Sequence, residues 1–289
     1  MAGLIGNRQI AHRVEDNLTE GSLLTWIRSL APDLLVVLSW PTRMPASFLD
    51  LFKHGAVNIH PSLLPALRGR DPIFSAILNN EPGFGITFHK LTSKLDSGPI
   101  YLQRPLKRRT MDHYDKLYFR FMRRVGELLP LAIDHMLKNP NGVPQKGKVS
   151  KAITFQESHT IYSADDEASS VIRKTLACRY HHRMNALCGK TLITFQKCTD
   201  ISHKMAFKEE CPRILAVRPG SLLIHHGHQV LKLQQVRILG VHPMLSPFIM
   251  LKYLKKGQRL AHQDPTLAAL RVARSLTDEK NSPARHYKT

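Results

Sequence analysis

Cysteine is scarce. Four residues in 289, too few and too widely spaced from one another, offer no disulfide framework and suit a reducing compartment. Long hydrophobic runs are missing as well: Leu34 to Leu38 falls far short of the ~18 apolar residues of a membrane-crossing helix, so no membrane is expected among the partners. There is no internal repeat and no low-complexity segment, and Gly83-x-Gly85 has neither the third glycine nor the following helix of a dinucleotide loop. Acidic side chains are few. The 22 Asp+Glu face 42 Lys+Arg, giving a formal charge of +20 and a pI of about 10.1. Hydrophobic residues make up 43% and the mean hydropathy is -0.22, which excludes global disorder. A chain of this length buries a full core, as one large domain or two smaller ones. What is left is a soluble, strongly basic protein whose charge points to a polyanion, nucleic acid first.

The charge is uneven. Residues 1 to 50 hold four basic side chains against five acidic ones, so the whole excess lies downstream. Arg104 to Arg124 carries eight Lys/Arg against Asp112 and Asp115, and Leu251 to Thr289 carries nine against Asp264, Asp278 and Glu279. One such run reads equally well as a solvated helix face; two on one chain favour an electrostatic footprint for RNA or DNA.

Periodicity predicts a helix over Ser22 to Leu30, a short buried strand over Leu34 to Leu38, a helix over Ala46 to Lys53 and a strand over Ala56 to His60 closed by Pro61. A helix over Asp71 to Leu78 with Pro72 near its start, a strand over Phe84 to Leu91 and a long amphipathic helix over Met111 to Leu137 follow. Strands alternating with helices predict an α/β unit with a mainly parallel sheet over 1–140. The Pro/Gly/Lys-rich stretch 141–151 reads as a linker. Beyond it, a helix over Asp166 to Tyr180 precedes short β-like runs at Thr191 to Phe195, Ser221 to Ile224, Val230 to Leu239 and Phe248 to Leu251. These predict a small OB-like β-barrel over 152–276, with a polar tail at 277–289.

Asn58 and His60 stand two apart on a predicted strand, so their side chains leave the same face at its C-terminal edge, where open α/β sheets bind ligands. An amide and an imidazole converging there can donate to a developing oxyanion and move a proton. Asp96, in the turn Lys94-Leu95-Asp96-Ser97-Gly98, is suited to hold the ring and stabilise its cation. The bland reading of Asn-x-His alone is a strand end with two polar residues.

The surroundings sharpen this. Asn58-Ile59-His60-Pro61-Ser62-Leu63-Leu64-Pro65, then Arg68-Gly69, Pro72-Ile73, Gly85-Ile86-Thr87 and Asp96-Ser97-Gly98-Pro99-Ile100 resemble the signature of folate-dependent formyltransferases, and the Leu-Pro-x-x-Arg-Gly wording looks more like methionyl-tRNA formyltransferase, mitochondrial type, than the glycinamide ribonucleotide enzyme. The resemblance implies a Rossmann-like formyltransferase domain followed by an OB-like tRNA-binding domain. It also implies transfer of a formyl group from 10-formyltetrahydrofolate, as co-substrate and without a metal, to the amine of initiator methionyl-tRNA. Asn58, His60 and Asp96 would be catalytic; Leu38, Ser39, Trp40, Ser62, Leu63, Leu64 and Pro65 would bind folate. Arg68, Arg108, Arg109, Lys146, Lys148, Lys255 and Lys256 are the RNA-binding candidates, and the implied address is the mitochondrial matrix.

The sequence also departs from the pattern. The Gly-rich first strand and about three βα units that usually precede the strand matching Leu34 to Leu38 are not seen, which leaves a shortened form, a covering partner or a rebuilt sheet as readings. Ala66-Leu67 stands where the family has Arg-Trp, Arg70-Asp71 where it has a small apolar pair, and Ser39-Trp40-Pro41 where it has Ala-Tyr-Gly. These departures keep a second reading open: a catalytically inactive relative serving as an RNA-binding structural or assembly component of a mitochondrial ribosome, contacting ribosomal RNA or ribosomal proteins. A formyltransferase acting on another amine, such as a sugar or nucleotide, is a third. Cys178, His181, His182, Cys188 and Cys198 match no compact zinc spacing. His225, His226 and His228 around Gly227 predict a surface hairpin turn, and Trp26, Phe119 and Phe121 are expected in core faces.

Overall fold

A computed structural model of the chain describes residues 11–261 apart from 16, 41, 82, 179–181, 190 and 203–211. The tail expected at 277–289, the end of the segment 152–276 and His181 lie outside the described residues.

The first half runs α1 (Gly21–Leu30), β1 (Leu35–Leu38), α2 (Ala46–Leu49), β2 (Ala56–His60), α3 (Pro72–Leu78), β3 (Gly85–Lys90), β4 (Ile100–Pro105) and α4 (Tyr114–Lys138). Its sheet has the order β1-β2-β3-β4. The expectation of a mainly parallel sheet is corrected: β1 and β2 are parallel, but β2–β3 and β3–β4 are antiparallel. The loop 91–99 is too short for a crossover and turns β3 directly into β4. No strand was expected at β4, whose end, Arg104-Pro105, is open to solvent after the polar Gln103. β3, by contrast, is buried from Gly85 to His89, which is why it reads as a nearly continuous apolar run.

α4 covers the sheet with Leu117, Phe121, Val125, Leu128, Ala132 and Met136 at helical spacing. Phe119 points the other way and is 66% exposed, contrary to the expectation of a core face; Trp26 is half-buried against a small separate cluster of Leu23, Ile27, Phe48 and Phe52. At the start of α4 the side chain of Asp112 is buried and held by Lys116 Nζ at 2.8 Å, Arg120 Nη1 at 3.0 Å and the Arg109 amide at 2.9 Å. Burial alone would push this carboxyl up, but Lys116, the Arg109 amide and Arg120 outweigh it and hold the pKa at about 2. A depressed carboxyl adds stability above its unfolded pKa and loses it as pH falls through the folded value. Asp112→Asn should therefore lower unfolding stability at pH 7 by about 2 kcal/mol. The gap should shrink below pH 4 and close near pH 2 in urea melts run across that range.

The second half contains a 3-10 turn (Glu157–Thr160), α5 (Ala168–Cys178), β5 (Met184–Cys188), β6 (Thr191–Phe195), β7 (Lys197–Asp200), β8 (Arg213–Arg218), β9 (Ser221–His226), β10 (Gln229–Gln234), β11 (Arg237–Ile238), α6 (Ser246–Tyr253) and β12 (Leu260–Ala261). Two antiparallel sheets result, ordered β7-β10-β9-β8 and β11-β6-β5-β12. Only Gln196 separates β6 from β7, so one run of chain passes from one sheet into the other. The strand expected over Phe248 to Leu251 is instead part of α6: Pro247 at its start presets a helical φ, and an apolar quartet fits either period. The run Val230 to Leu239 is two strands, broken where Gln235 takes a left-handed φ of 54°. Gly227 does turn β9 into β10, but His225 and His226 are buried rather than on the surface. His226 Nδ1 lies 2.6 Å from the Tyr162 hydroxyl.

One apolar cluster runs without a gap from Val57 and Phe88 through Phe121 and Leu176 to Phe195 and Leu231, so the two halves share a core. Arg173 Nε of α5 donates to the Leu78 carbonyl at the end of α3 across that contact.

Candidate active site

The site forms where β2 ends. Asn58 and His60 project to one face, and the antiparallel register sets His89 opposite Asn58 and Thr87 opposite His60. The turn after β3 then returns Asp96 beneath both, with the Asp96 backbone left-handed at φ 46°.

Asp96 joins the group. Its Oδ1 accepts from Asn58 Nδ2 at 3.2 Å and its Oδ2 from the Gly69 amide at 2.9 Å. His60 Nδ1 and His89 Nε2 each lie 3.6 Å from it. His60 Nε2 donates to the Leu67 carbonyl at 2.9 Å, and His89 Nδ1 donates to the Lys90 carbonyl at 2.9 Å. These carbonyls fix the tautomers: neutral His60 carries its proton on Nε2, and neutral His89 on Nδ1. The bare Nε2 of His89 then accepts from Asn58 Nδ2 at 3.1 Å. Both amide hydrogens of Asn58 are thereby held, one by His89 and one by Asp96.

Burial pushes the His60 pKa down, partly opposed by the Asp96 charge and the Leu67 carbonyl. Burial would push Asp96 up, but His89, His60 and the Gly69 amide prevail and hold it below the usual carboxylate range. The arrangement pairs a neutral imidazole with a firmly ionised carboxylate, able to take up a proton on the ring once a positive charge there is useful.

Asn58, His60 and Asp96 line one cavity of about 510 Å³, together with Ser39 and Trp40 and an aromatic wall of Tyr114, Tyr118 and Phe121. The other residues expected on folate do not face it. Leu38 is half-buried at the end of β1. Ser62, Leu63, Leu64 and Pro65 make a folded loop against β3: Ser62 Oγ donates to the Ala66 carbonyl at 2.6 Å, Thr87 Oγ1 donates to the Ser62 carbonyl at 2.7 Å, and Leu63 packs on Gly85. Among the RNA candidates, Arg109, Lys146, Lys148, Lys255 and Lys256 are exposed. Arg68 and Arg108 are half-buried, with their guanidinium groups bonded within the chain, Arg68 to Gln145 and Arg108 to Asn80 and the Glu81 carbonyl. His89 was not singled out from sequence; pairing β2 with β3 would have set it opposite Asn58. Among the described residues no group of three His, Cys, Asp or Glu side chains is arranged to hold a metal, and no helix is long and apolar enough to cross a membrane.

Residues 9–133 match the family model described as Formyl transferase. A methionyl-tRNA formyltransferase of Borrelia garinii subsp. bavariensis is 37% identical over 143 residues, 48% of this chain and 44% of that protein. The Borrelia duttonii methionyl-tRNA formyltransferase is 27% identical over 223 residues, 76% of this chain and 72% of that one. The chain thus spans about half the length of curated relatives such as the first. Among solved structures, HypX from Aquifex aeolicus in complex with tetrahydrofolic acid superposes with a TM-score of 0.61 at 17% identity, covering 84% of this chain and 44% of that one. WlaRD, a sugar 3N-formyl transferase, gives 0.55 at 15% identity, covering 74% and 77%. These two likenesses show a shared fold.

Proposed function

Since residues 9–133 match the Formyl transferase family model, we propose that this chain transfers a formyl group from 10-formyltetrahydrofolate to the amine of methionyl-tRNA. The observation that carries the reading is the convergence of Asn58, His60 and Asp96 on one cavity inside that segment, with His89 bonded to Asn58. The formyl donor supplies an electrophilic carbon; attack by an amine there leaves a developing oxyanion and a proton to be moved. Asn58, released from His89 or Asp96, donates to the oxyanion, a contact of a kind typically worth about 3 kcal/mol. His60 takes the proton from the attacking amine, the Asp96 carboxylate 3.6 Å away stabilises the resulting cation, and the proton passes to the folate nitrogen as its bond to the formyl carbon breaks. The aromatic wall of Trp40, Tyr114, Tyr118 and Phe121 suits the flat ring system of a folate.

The choice of charged tRNA as acceptor is supported by the relatives' names, by the reach of the Borrelia duttonii similarity into the second half, and by the charge of +20. On this reading 152–276 is an OB-like domain that grips tRNA through Lys255 and Lys256, and 141–151 joins it to the catalytic domain; the bend at Gln196 between two antiparallel sheets supports it. The experiment mixes pure protein, formyl donor and charged initiator tRNA. Formyl-methionine on the tRNA is expected; none, beside an active control enzyme, overturns the proposal. The second reading, an inactive RNA-binding relative, is favoured by one observation: the Asn58 amide hydrogens and His60 Nε2 are all held by protein groups. It predicts salt-sensitive RNA binding without binding of a formyl-folate analogue.

A further inference from the structure

The linker enters the site. Gln145 lies in the stretch between the two halves, and its side-chain amide meets three partners. Its Oε1 accepts from Arg68 Nη2 at 2.7 Å and Nε at 3.3 Å, and its Nε2 donates to the carbonyls of Asp96 at 2.9 Å and Gly98 at 2.8 Å. The orientation is unambiguous, because a guanidinium only donates and a carbonyl only accepts. One amide thus pins the Asp96 turn on both sides of Ser97.

Its other partner belongs to the loop that meets Asp96 from the opposite side. Leu67 supplies the carbonyl holding His60 Nε2, and Gly69 supplies the amide on Asp96 Oδ2. The linker and the residue after it hold that loop too: the Arg68 amide donates to the Ser150 carbonyl at 2.9 Å, the Ala152 amide to the Arg68 carbonyl at 2.7 Å, and the Leu67 amide to Ser150 Oγ at 2.9 Å.

We propose that Gln145 is a positioning residue for formyl transfer, holding the Asp96 turn and the Leu67–Gly69 loop at the separation that keeps Asp96 on the Gly69 amide and beside His60. This rests on the function proposed above. Gln145→Glu separates the contacts: it still accepts from Arg68 but brings no hydrogen to the two carbonyls, and sets a carboxylate against them. Gln145→Ala removes both sides, and Val149→Ala, an exposed change in the same stretch, serves as the control.

Both Gln145 variants should lose at least about tenfold in kcat while KM for the formyl donor stays within about threefold, since misplacement rather than lost binding is the defect. Asp96 moved away from His60 no longer opposes the burial that depresses that ring, so the acid limb of kcat/KM should move to lower pH. Amide exchange at Gly69 and across 94–98 should rise about tenfold with β3 unchanged, a local opening. Wild-type kcat or an unshifted acid limb in Gln145→Glu overturns the proposal. If the unmodified protein itself transfers nothing beside an active control, the functional reading falls and amide exchange decides alone: unchanged protection of Gly69 in Gln145→Glu overturns the positioning role, and a tenfold rise upholds it.

Discussion

Asp96→Asn is expected to lower kcat for formyl transfer by about a thousandfold, within the range that removing an acid–base partner produces. The substitution keeps the shape of the side chain and removes two properties. The first is acceptor capacity. Asp96 offers oxygens to Asn58 Nδ2 on one side and to the Gly69 amide on the other, and an Asn amide must turn its NH2 toward one of these donors. The second is charge. The carboxylate opposes the burial that depresses His60, so its loss lets the His60 pKa fall further and the ring no longer takes a proton at neutral pH. KM for the formyl donor should change only a few-fold, because Asp96 touches the reacting centre through other residues. The same electrostatics set the pH profile of the unmodified protein. His60 is neutral in the fold down to a pH below the ordinary 6.5, so the acid limb of kcat/KM should lie below that value. Steady-state kinetics from pH 5 to 8 tests both; an Asp96→Asn variant within tenfold of wild type would sink the role given to Asp96.

How much of this was legible in the sequence depended on how far apart the partners lie. β2 and α4 came from local periodicity, and Asn58 and His60 from a spacing of two on one strand, so no distant knowledge was needed. His89 is 31 residues from Asn58, and only the pairing register of β2 with β3 brings them together. Along the chain it reads as one polar residue in an apolar strand. Arg68 has a partner that the sequence hides. As a basic residue beside a glycine it reads as free for a polyanion, but its partner Gln145 is 77 residues away in a stretch whose composition says only linker. The sheet direction failed for a related reason: a helix between β2 and β3 resembles a crossover in sequence, and only the pairing register of the two strands reveals the antiparallel return. In the second half, β5, β7 and β8 mix apolar with polar and basic residues and give no clean period of two.

Gly98→Ala should be the most damaging glycine-to-alanine change among the described residues, although it adds only one methyl group. A Cβ built at Gly98 falls 1.9 Å from the Lys90 carbonyl oxygen, 2.9 Å from its carbon and 3.2 Å from Thr92 Cγ2. The first two obstacles are backbone, so no rotamer change relieves them, and the turn must move away by about 1 Å or more to regain ordinary contact. That movement pulls on the bond from the Lys90 amide to the Pro99 carbonyl, 2.8 Å, and on the bond from Gln145 Nε2 to the Gly98 carbonyl. Asp96 sits two residues away and moves with the turn. Overpacking against fixed backbone with loss of two hydrogen bonds should cost about 3 kcal/mol, a fall in Tm of about 6–12 °C for a chain of this size. The remaining folded protein, assayed at low temperature, should still transfer formyl about a hundredfold more slowly, because Asp96 is displaced from the Gly69 amide. Gly126→Ala provides the contrast. Gly126 is exposed within α4 and a Cβ there meets nothing within 4 Å, so the change should raise stability by about 0.5–1 kcal/mol. Melting curves and low-temperature kinetics on the two variants decide it: a Gly98→Ala protein that melts within about 2 °C of wild type and transfers at the normal rate would mean that the Asp96 turn is not held where the reaction requires it.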